Sequence, residues 1–306
     1  MIRIALPFIN AEEAPVLEDF LLTQPDDLET RLKLIAYFGG NRYSDQNAAT
    51  NYYRHLNWLV TLHPEHPDLR LPWCDVDRFL DTDFIPEIRD LYDLALAQHP
   101  DSASLHANIA FFYSRQDPAQ AEIHFLKSCA LDPDDHDLLF RLAFFYFLTD
   151  RPQDALNHYQ KLFELFPDEC VNGYLYAGEA AVSCQQLDFA LHCADKLEQF
   201  GQDYHHPLYH VSILRGKVAL QRGQIHDAIQ YLKEAADKES KACSRFSLTP
   251  DLELAQDLLD LGHRQDVIAY LSSCAAFWPE ATGILAHLKD SIEEAQLDAE
   301  MIDAPE

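Results

Sequence analysis

Residues 136–167 read HDLLFRLAFFYFLTDRPQDALNHYQKLFELFP. Leu139, Leu142, Ala143 and Tyr146 recur at steps of three and four, and after the break at Asp150 to Pro152 so do Ala155, Tyr159 and Leu162. That spacing predicts two helices joined by a tight turn, each with one apolar face. The second helix stops at Pro167, and similar stops stand at Pro100 and Pro133, giving steps of 33 and 34 residues. Proline cannot continue a helix, and the aspartate after each one (Asp101, Asp134, Asp168) reads as a cap for the next. A fixed period near 34 is the mark of stacked helical hairpins.

Small residues recur where the two helices of each hairpin must cross. Ala121, Ala155, Ala190 and Ala228 hold that place, then Val267, at steps of 34, 35, 38 and 39, so the later loops carry insertions. Gly178 and Gly216 hold the small site on the first helix, whereas Gly223 and Gly262 fall in the turns, where a positive φ comes easily to glycine. This pattern resembles the tetratricopeptide repeat. In the unit ending at Pro167 its signature places are filled by Leu139, Leu142, Ala143, Tyr146, Ala155, Tyr159, Leu162 and Pro167, with only the small site at Leu162 enlarged.

The resemblance implies an all-α fold, a right-handed α-solenoid of helical hairpins with N-terminal capping helices. Five units cover about residues 101–280, and a helix from Pro86 to Gln98, with Tyr92 and Ala95 in register, is the second half of a sixth. The expected organisation is a cap over residues 1–85, repeats over 86–280, and a helix with an acidic tail over 281–306. In the cap, Asp27 to Phe38 and Gln46 to Leu62 show helical spacing, while His63 to Asp83, broken by Pro64, Pro67 and Pro72, reads as an ordered surface loop. The stretches from Leu214 to Ala228 and from Leu248-Thr249-Pro250 to Phe277-Trp278 are also similar to the C-terminal part of a group of bacterial tetratricopeptide proteins. That adds an expected bacterial origin and no function.

Composition narrows the partners. The chain has 23 Lys plus Arg against 51 Asp plus Glu, a formal charge of −28, which repels nucleic-acid phosphates and anionic membranes. No membrane span, no nucleic-acid surface and no credible leader is expected, and seven cysteines without CxxC spacing fit a reducing cytoplasm.

Catalytic residues and cofactors are expected to be absent, since GxGxxG, GxxxxGK, HExxH and GxSxG do not occur. Histidines His205, His206 and His210, and His63 with His66, could sit near carboxylates, but neither cluster has a recognised metal spacing. Asp188, His192 and Cys193 lie on one helix at offsets that do not build a triad. The pairs Asp26-Asp27 and Asp134-Asp135 stand just after a proline, at helix starts, where capping accounts for them.

In the repeat family the first helix of each hairpin lines the concave groove. By that resemblance the partner-binding residues are His106 and Tyr113, with Ala110; then Phe140, Arg141, Phe144 and Phe147; then Asn172, Tyr176 and Glu179; then His210 and Lys217, with Leu214. Such a groove is aromatic and either holds a partner or is filled by the chain's own N-terminal helices. The clamp that grips chaperone C-terminal tails needs Lys and Asn where His106 and Ala110 stand, so that ligand is not expected. The reading this supports is a cytoplasmic, non-catalytic scaffold or adaptor for another protein or peptide, with the charge favouring a basic one. The alternatives are an immunity or antitoxin-type inhibitor of a basic toxin or nuclease, and an unrecognised enzyme or metalloprotein using the histidine cluster.

Overall fold

A computed structural model describes residues 9–167, 171–200, 207–242 and 252–274, with single helical positions between 283 and 292. Cys170, His205, His206, Cys243, Leu248, Thr249, Pro250, Phe277, Trp278 and the expected acidic tail lie outside the described residues. Among the described residues there are fourteen α-helices and no strand. The expected all-α class is thus the observed one. Compact packing divides the chain into residues 1–145 and 146–306, with the division inside one helix.

The first unit holds α1 (Glu13–Thr23), α2 (Leu28–Asn41), α3 (Gln46–Leu62), α4 (Ile85–Gln98), α5 (Ala103–Tyr113), α6 (Pro118–Leu131) and most of α7 (His136–Leu148). Short side chains start α2, α3, α5, α6 and α7 by accepting orphan backbone N–H groups. Asp27 accepts from Thr30 at 2.8 Å and Asp45 from Asn47 at 2.8 Å. The caps after Pro100 and Pro133 are Ser102, accepting from Leu105 at 3.2 Å, and Asp135, accepting from Asp137 at 2.8 Å. Each lies one residue beyond the aspartate that the sequence suggested. Helix α1 was not legible in the sequence: Leu21 and Ala14 are buried, but Val16 and Leu22 are exposed, so its apolar spacing is two-sided.

About one repeat length before α5, where a complete hairpin would have its first helix, the chain makes two short 3₁₀ turns, Pro67–Arg70 and Pro72–Cys74. Pro64, Pro67 and Pro72 forbid a continuous helix there, so the backbone groups need other partners. Side chains of the neighbouring helices supply them. Asn108 on α5 donates to the carbonyls of Pro64 at 2.7 Å and His66 at 3.1 Å. Tyr52 on α3 donates to the Asp75 carbonyl at 3.1 Å, as Arg42 does at 3.0 Å. Leu69, Cys74 and Val76 are buried in the same core as Leu34, Ile35, Leu59 and Leu105. The segment expected to be a surface loop is therefore an integral layer of this unit.

The second unit holds α8 (Pro152–Leu165), α9 (Val171–Ser183), α10 (Leu187–Phe200), α11 (Pro207–Gln221), α12 (Ile225–Ala242), α13 (Glu253–Asp260) and α14 (Arg264–Cys274). Helices α9 with α10, α11 with α12 and α13 with α14 form hairpins across short turns, so each pair runs antiparallel. Ala155, Ala190 and Ala228 are fully buried and Val267 is 2% exposed, as crossing points require. Gly178 explains the limit on size: a Cβ there would overlap Leu214 Cδ2 on α11 and stand 3.3 Å from Cys193 Cβ on α10. At Gly216 it would stand 2.6 Å from Leu254 Cδ2 on α13 and 3.3 Å from Tyr231 Cβ on α12. Each glycine admits both its own second helix and the next first helix.

One turn recurs at four first-helix ends. Asp150, Gln185, Gly223 and Gly262 have φ of 56°, 59°, 73° and 89°. The next residue's N–H reaches back five positions each time: Arg151 to Tyr146 at 3.0 Å, Gln186 to Ala181 at 2.8 Å, Gln224 to Ala219 at 2.9 Å, and His263 to Leu258 at 3.0 Å. This closure satisfies the last carbonyls of the helix and reverses the chain. Only two of the four positions carry the residue that adopts such a φ without strain. Gln185→Gly should therefore raise stability by about 0.5–1 kcal/mol, and Gly223→Ala should lower it by about 1 kcal/mol, since no atom crowds that Cβ and backbone strain acts alone. Urea unfolding of both variants checks the pair of opposite signs. Shifts in the same direction would remove the turn geometry from the account.

Candidate functional site

In the first unit the sequence-predicted groove residues do not act alike. His106 is 6% exposed and turned into its own hairpin. Its Nε2 lies 3.0 Å from the Pro100 carbonyl, which can only accept, so Nε2 carries the proton. Nδ1 is then an acceptor for His124 on α6, 2.9 Å away, and the two rings tilt against each other at 5.1 Å. Tyr113 stacks on the same His124 at 6.2 Å. His106 is thus corrected from a groove residue to a buried hairpin link, because a ring with both nitrogens engaged inside offers a partner no contact. Ala110 is fully buried as well.

Helix α7 keeps a half-buried aromatic pair, Phe140 and Phe144, stacked at 5.9 Å. Arg141 beside them is tied down: Nε donates to Asp137 at 2.8 Å and Nη1 to the Arg70 carbonyl at 3.4 Å. Arg70 itself, nearly buried, stands 3.7 Å from the same carboxylate.

In the second unit Phe147 and Tyr176 pack at 5.3 Å, half-buried, at the end of α7 and the middle of α9. Asn172 is exposed, and His210 is half-buried edge-on to Tyr209 at 5.2 Å. Leu214 is fully buried, where it meets Gly178. Lys217 needs a correction. It is buried, and its ammonium donates to Glu179 at 2.8 Å and Glu253 at 2.7 Å, so three successive first helices, α9, α11 and α13, are bridged by one cation. A charge this buried persists only when paired, so Lys217 belongs to the stack, with Glu179 20% exposed beside it. Glu253 is 74% exposed. Glu253 belongs to the fifth unit, whose register Val267 sets.

Two of the other chemical candidates have local structural accounts. His66 Nδ1 accepts from the Asp68 N–H at 3.2 Å and so caps the first 3₁₀ turn. Burial pushes the Cys193 thiol up to about 12, which withholds the thiolate a nucleophile needs. Among the described residues no three His, Cys, Asp or Glu side chains are grouped to hold a metal ion, and no helix is long and apolar enough to cross a membrane. Of the expected histidine cluster only His210 is described.

No protein-family model matches the chain, and no curated protein does. Solved structures do. Yeast Tom70 aligns over 93% of this chain and 59% of its own, with 15% identity and a TM-score of 0.54. A tetratricopeptide repeat protein from Parabacteroides merdae aligns over 92% and 98%, with 13% identity and a TM-score of 0.48. YrrB, described as a TPR protein with an unusual peptide-binding site, aligns over 68% and 94%, with 17% identity and a TM-score of 0.46. With the likeness to Tom70 and the hairpins above, the fold of this protein is the tetratricopeptide repeat fold.

His124 carries a pH signature. Burial, then the neighbouring His106, pushes the His124 imidazole down to about 4 from 6.5, with Asp93 acting the other way. The unfolded chain takes up that proton near 6.5 while the folded chain resists until about 4, so stability is lost as pH falls through this window. His124→Gln keeps a donor for His106 and removes the titration. The melting temperature of the natural protein relative to this variant should drop between pH 7 and pH 4.5. A difference that stays level across that range would show that His124 does not titrate as described.

Proposed function

We propose that this protein is a non-catalytic scaffold that binds a basic protein or peptide on the face made by the first helices of its second unit. The observation that carries it is how the cations of this unit are used. Lys217 bridges Glu179 and Glu253 on the first helices α9 and α13, while Arg215 and Arg222 reach acids of the second helix α10, Asp195 at 2.8 Å, Glu198 at 2.7 Å and Asp188 at 2.5 Å. In each set the acid lies further out than its cation. Glu253 is 74% exposed against 7% for Lys217, and Asp188 is 98% exposed against 37% for Arg222. In these three sets the cation lies deeper than its acids, although Lys233, 51% exposed, stands outside Asp266, 30% exposed, so the negative field comes from the three sets and the overall −28.

On α7 and on α9, the helix that carries Glu179, stand Phe147 and Tyr176, aromatic side chains of the kind that anchor peptides in desolvated contacts. A partner that alternates Lys or Arg with apolar residues matches both features. Charge speeds its encounter and the aromatic pair holds it. The repeat fold supports a binding role, since stacked hairpins display long regular surfaces and have no need of a cofactor to do so.

A tagged protein used for capture from its native cell, at low and at high salt, tests this. The expected result is a basic protein held at low salt and released at high salt, with affinity falling several-fold in Glu253→Gln, which leaves Lys217 paired with Glu179. Should the captured protein be a toxin or nuclease whose activity is blocked, the scaffold narrows to an immunity-type inhibitor. Capture indifferent to both salt and Glu253→Gln would overturn the charge-based reading.

A further inference from the structure

The turn between the 3₁₀ segment and α4 presents two large apolar side chains side by side to water. Phe79 is 72% exposed and Leu80 64%. Exposed leucines occur singly on any protein, but an adjacent pair at the tip of a fixed turn is a different arrangement. The turn is held from both sides. Asp77 Oδ1 accepts the N–H of Phe79 at 2.8 Å and of Leu80 at 3.0 Å, closing the turn on itself. Asp81, only 3% exposed, accepts the Asp77 N–H at 2.7 Å and the Tyr43 hydroxyl at 3.2 Å, and pairs with Arg42 at 3.5 Å. Arg42 in turn lies over the rings of Tyr43 at 4.2 Å and Tyr52 at 4.7 Å.

Burying an aspartate to hold a surface turn costs desolvation, and the folded unit gains no apolar burial from Phe79 or Leu80 in return. What the arrangement yields is preorganisation, the removal of loop entropy before a contact is made. The local charges set the chemistry of that contact. Arg78 is laid on the Phe79 ring at 4.4 Å and donates to the Arg115 carbonyl at 3.4 Å, while Arg115 pairs with Asp75 at 2.9 Å. Arg115 is thereby paired with an acid, Arg78 keeps its charge on one side of the Phe79 ring, and Asp77 and Asp83 flank the apolar pair, so the acids outnumber the remaining cation.

We propose that the Phe79-Leu80 turn is a docking knob for a partner protein, one with an apolar pocket rimmed by Lys or Arg. The knob lies in the first unit and is independent of the face proposed above. A membrane is the poorer occupant, since the flanking aspartates and the overall charge oppose an anionic lipid surface.

The test places a photo-crosslinking phenylalanine analogue at position 79 in the full chain in its native cell, with the equally exposed Leu22 as the control position. The expected result is one adduct specific to position 79, formed with a basic protein. Once that protein is purified, Phe79→Ala with Leu80→Ala should weaken its binding at least ten-fold, with circular dichroism and melting temperature unchanged. Absence of an adduct, the same adducts from position 22, or unaltered affinity of the double variant would each overturn the proposal. So would an adduct between two copies of this chain, or Phe79-dependent sedimentation with phosphatidylcholine and phosphatidylserine vesicles.

Discussion

The close approach of helices at Gly178 and Gly216 is the constraint on which the rest of the second unit depends. A first helix here must lie against two others at once, its own second helix and the next first helix. Leu214 and Leu254 fill the space that a side chain on those glycines would need. Because Leu214 and Leu254 are fully buried, that contact is part of the core and cannot relax outward without opening it. The spacing between neighbouring first helices then decides where their outer residues stand. Glu179, Lys217 and Glu253 can share one ammonium only because α9, α11 and α13 are brought that near.

Charge follows from packing in the same way. A helical stack assembled from acidic surfaces would repel itself, and the cations placed between helices offset this locally. Arg215, Lys217 and Arg222 each meet acids of a neighbouring helix at 2.8 Å or less. The more exposed pairs of Arg215 and Arg222 contribute little to stability, on the order of 0–1 kcal/mol, so their larger effect is on the field outside the protein. The first unit adds buried hydrogen bonds to its own ion pairs. Asn108 holds the stretch from Pro64 to His66, and Asp81 holds the Phe79 turn.

Much of this was legible because helical hairpins repeat their demands. A crossing needs a small residue, so Ala121, Ala155, Ala190 and Ala228 disclosed the register, and Gly223 and Gly262 disclosed two turns. Asp150 and Gln185 adopt the same positive φ without being glycine, and nothing local marks them. The 3₁₀ layer was read as a surface loop because its burial comes from α2, α3 and α5, distant in sequence. Site residues were the hardest part. Helical phase places His106 on the groove side, but a hydrogen bond to His124 draws it inward. Lys217 in turn is claimed by acids 38 and 36 residues away.

The central claim is that glycine-permitted contact between successive first helices holds the stack and so positions its acidic face. A double-mutant cycle on Gly178→Ala and Leu214→Ala measures that contact directly by equilibrium unfolding. If the two positions compete for one space, the added methyl should partly fill the gap left by the truncated leucine. The pair should then destabilise by at least about 1 kcal/mol less than the sum of the single variants. Simple additivity would show that Gly178 and Leu214 do not press on each other, and would contradict the account.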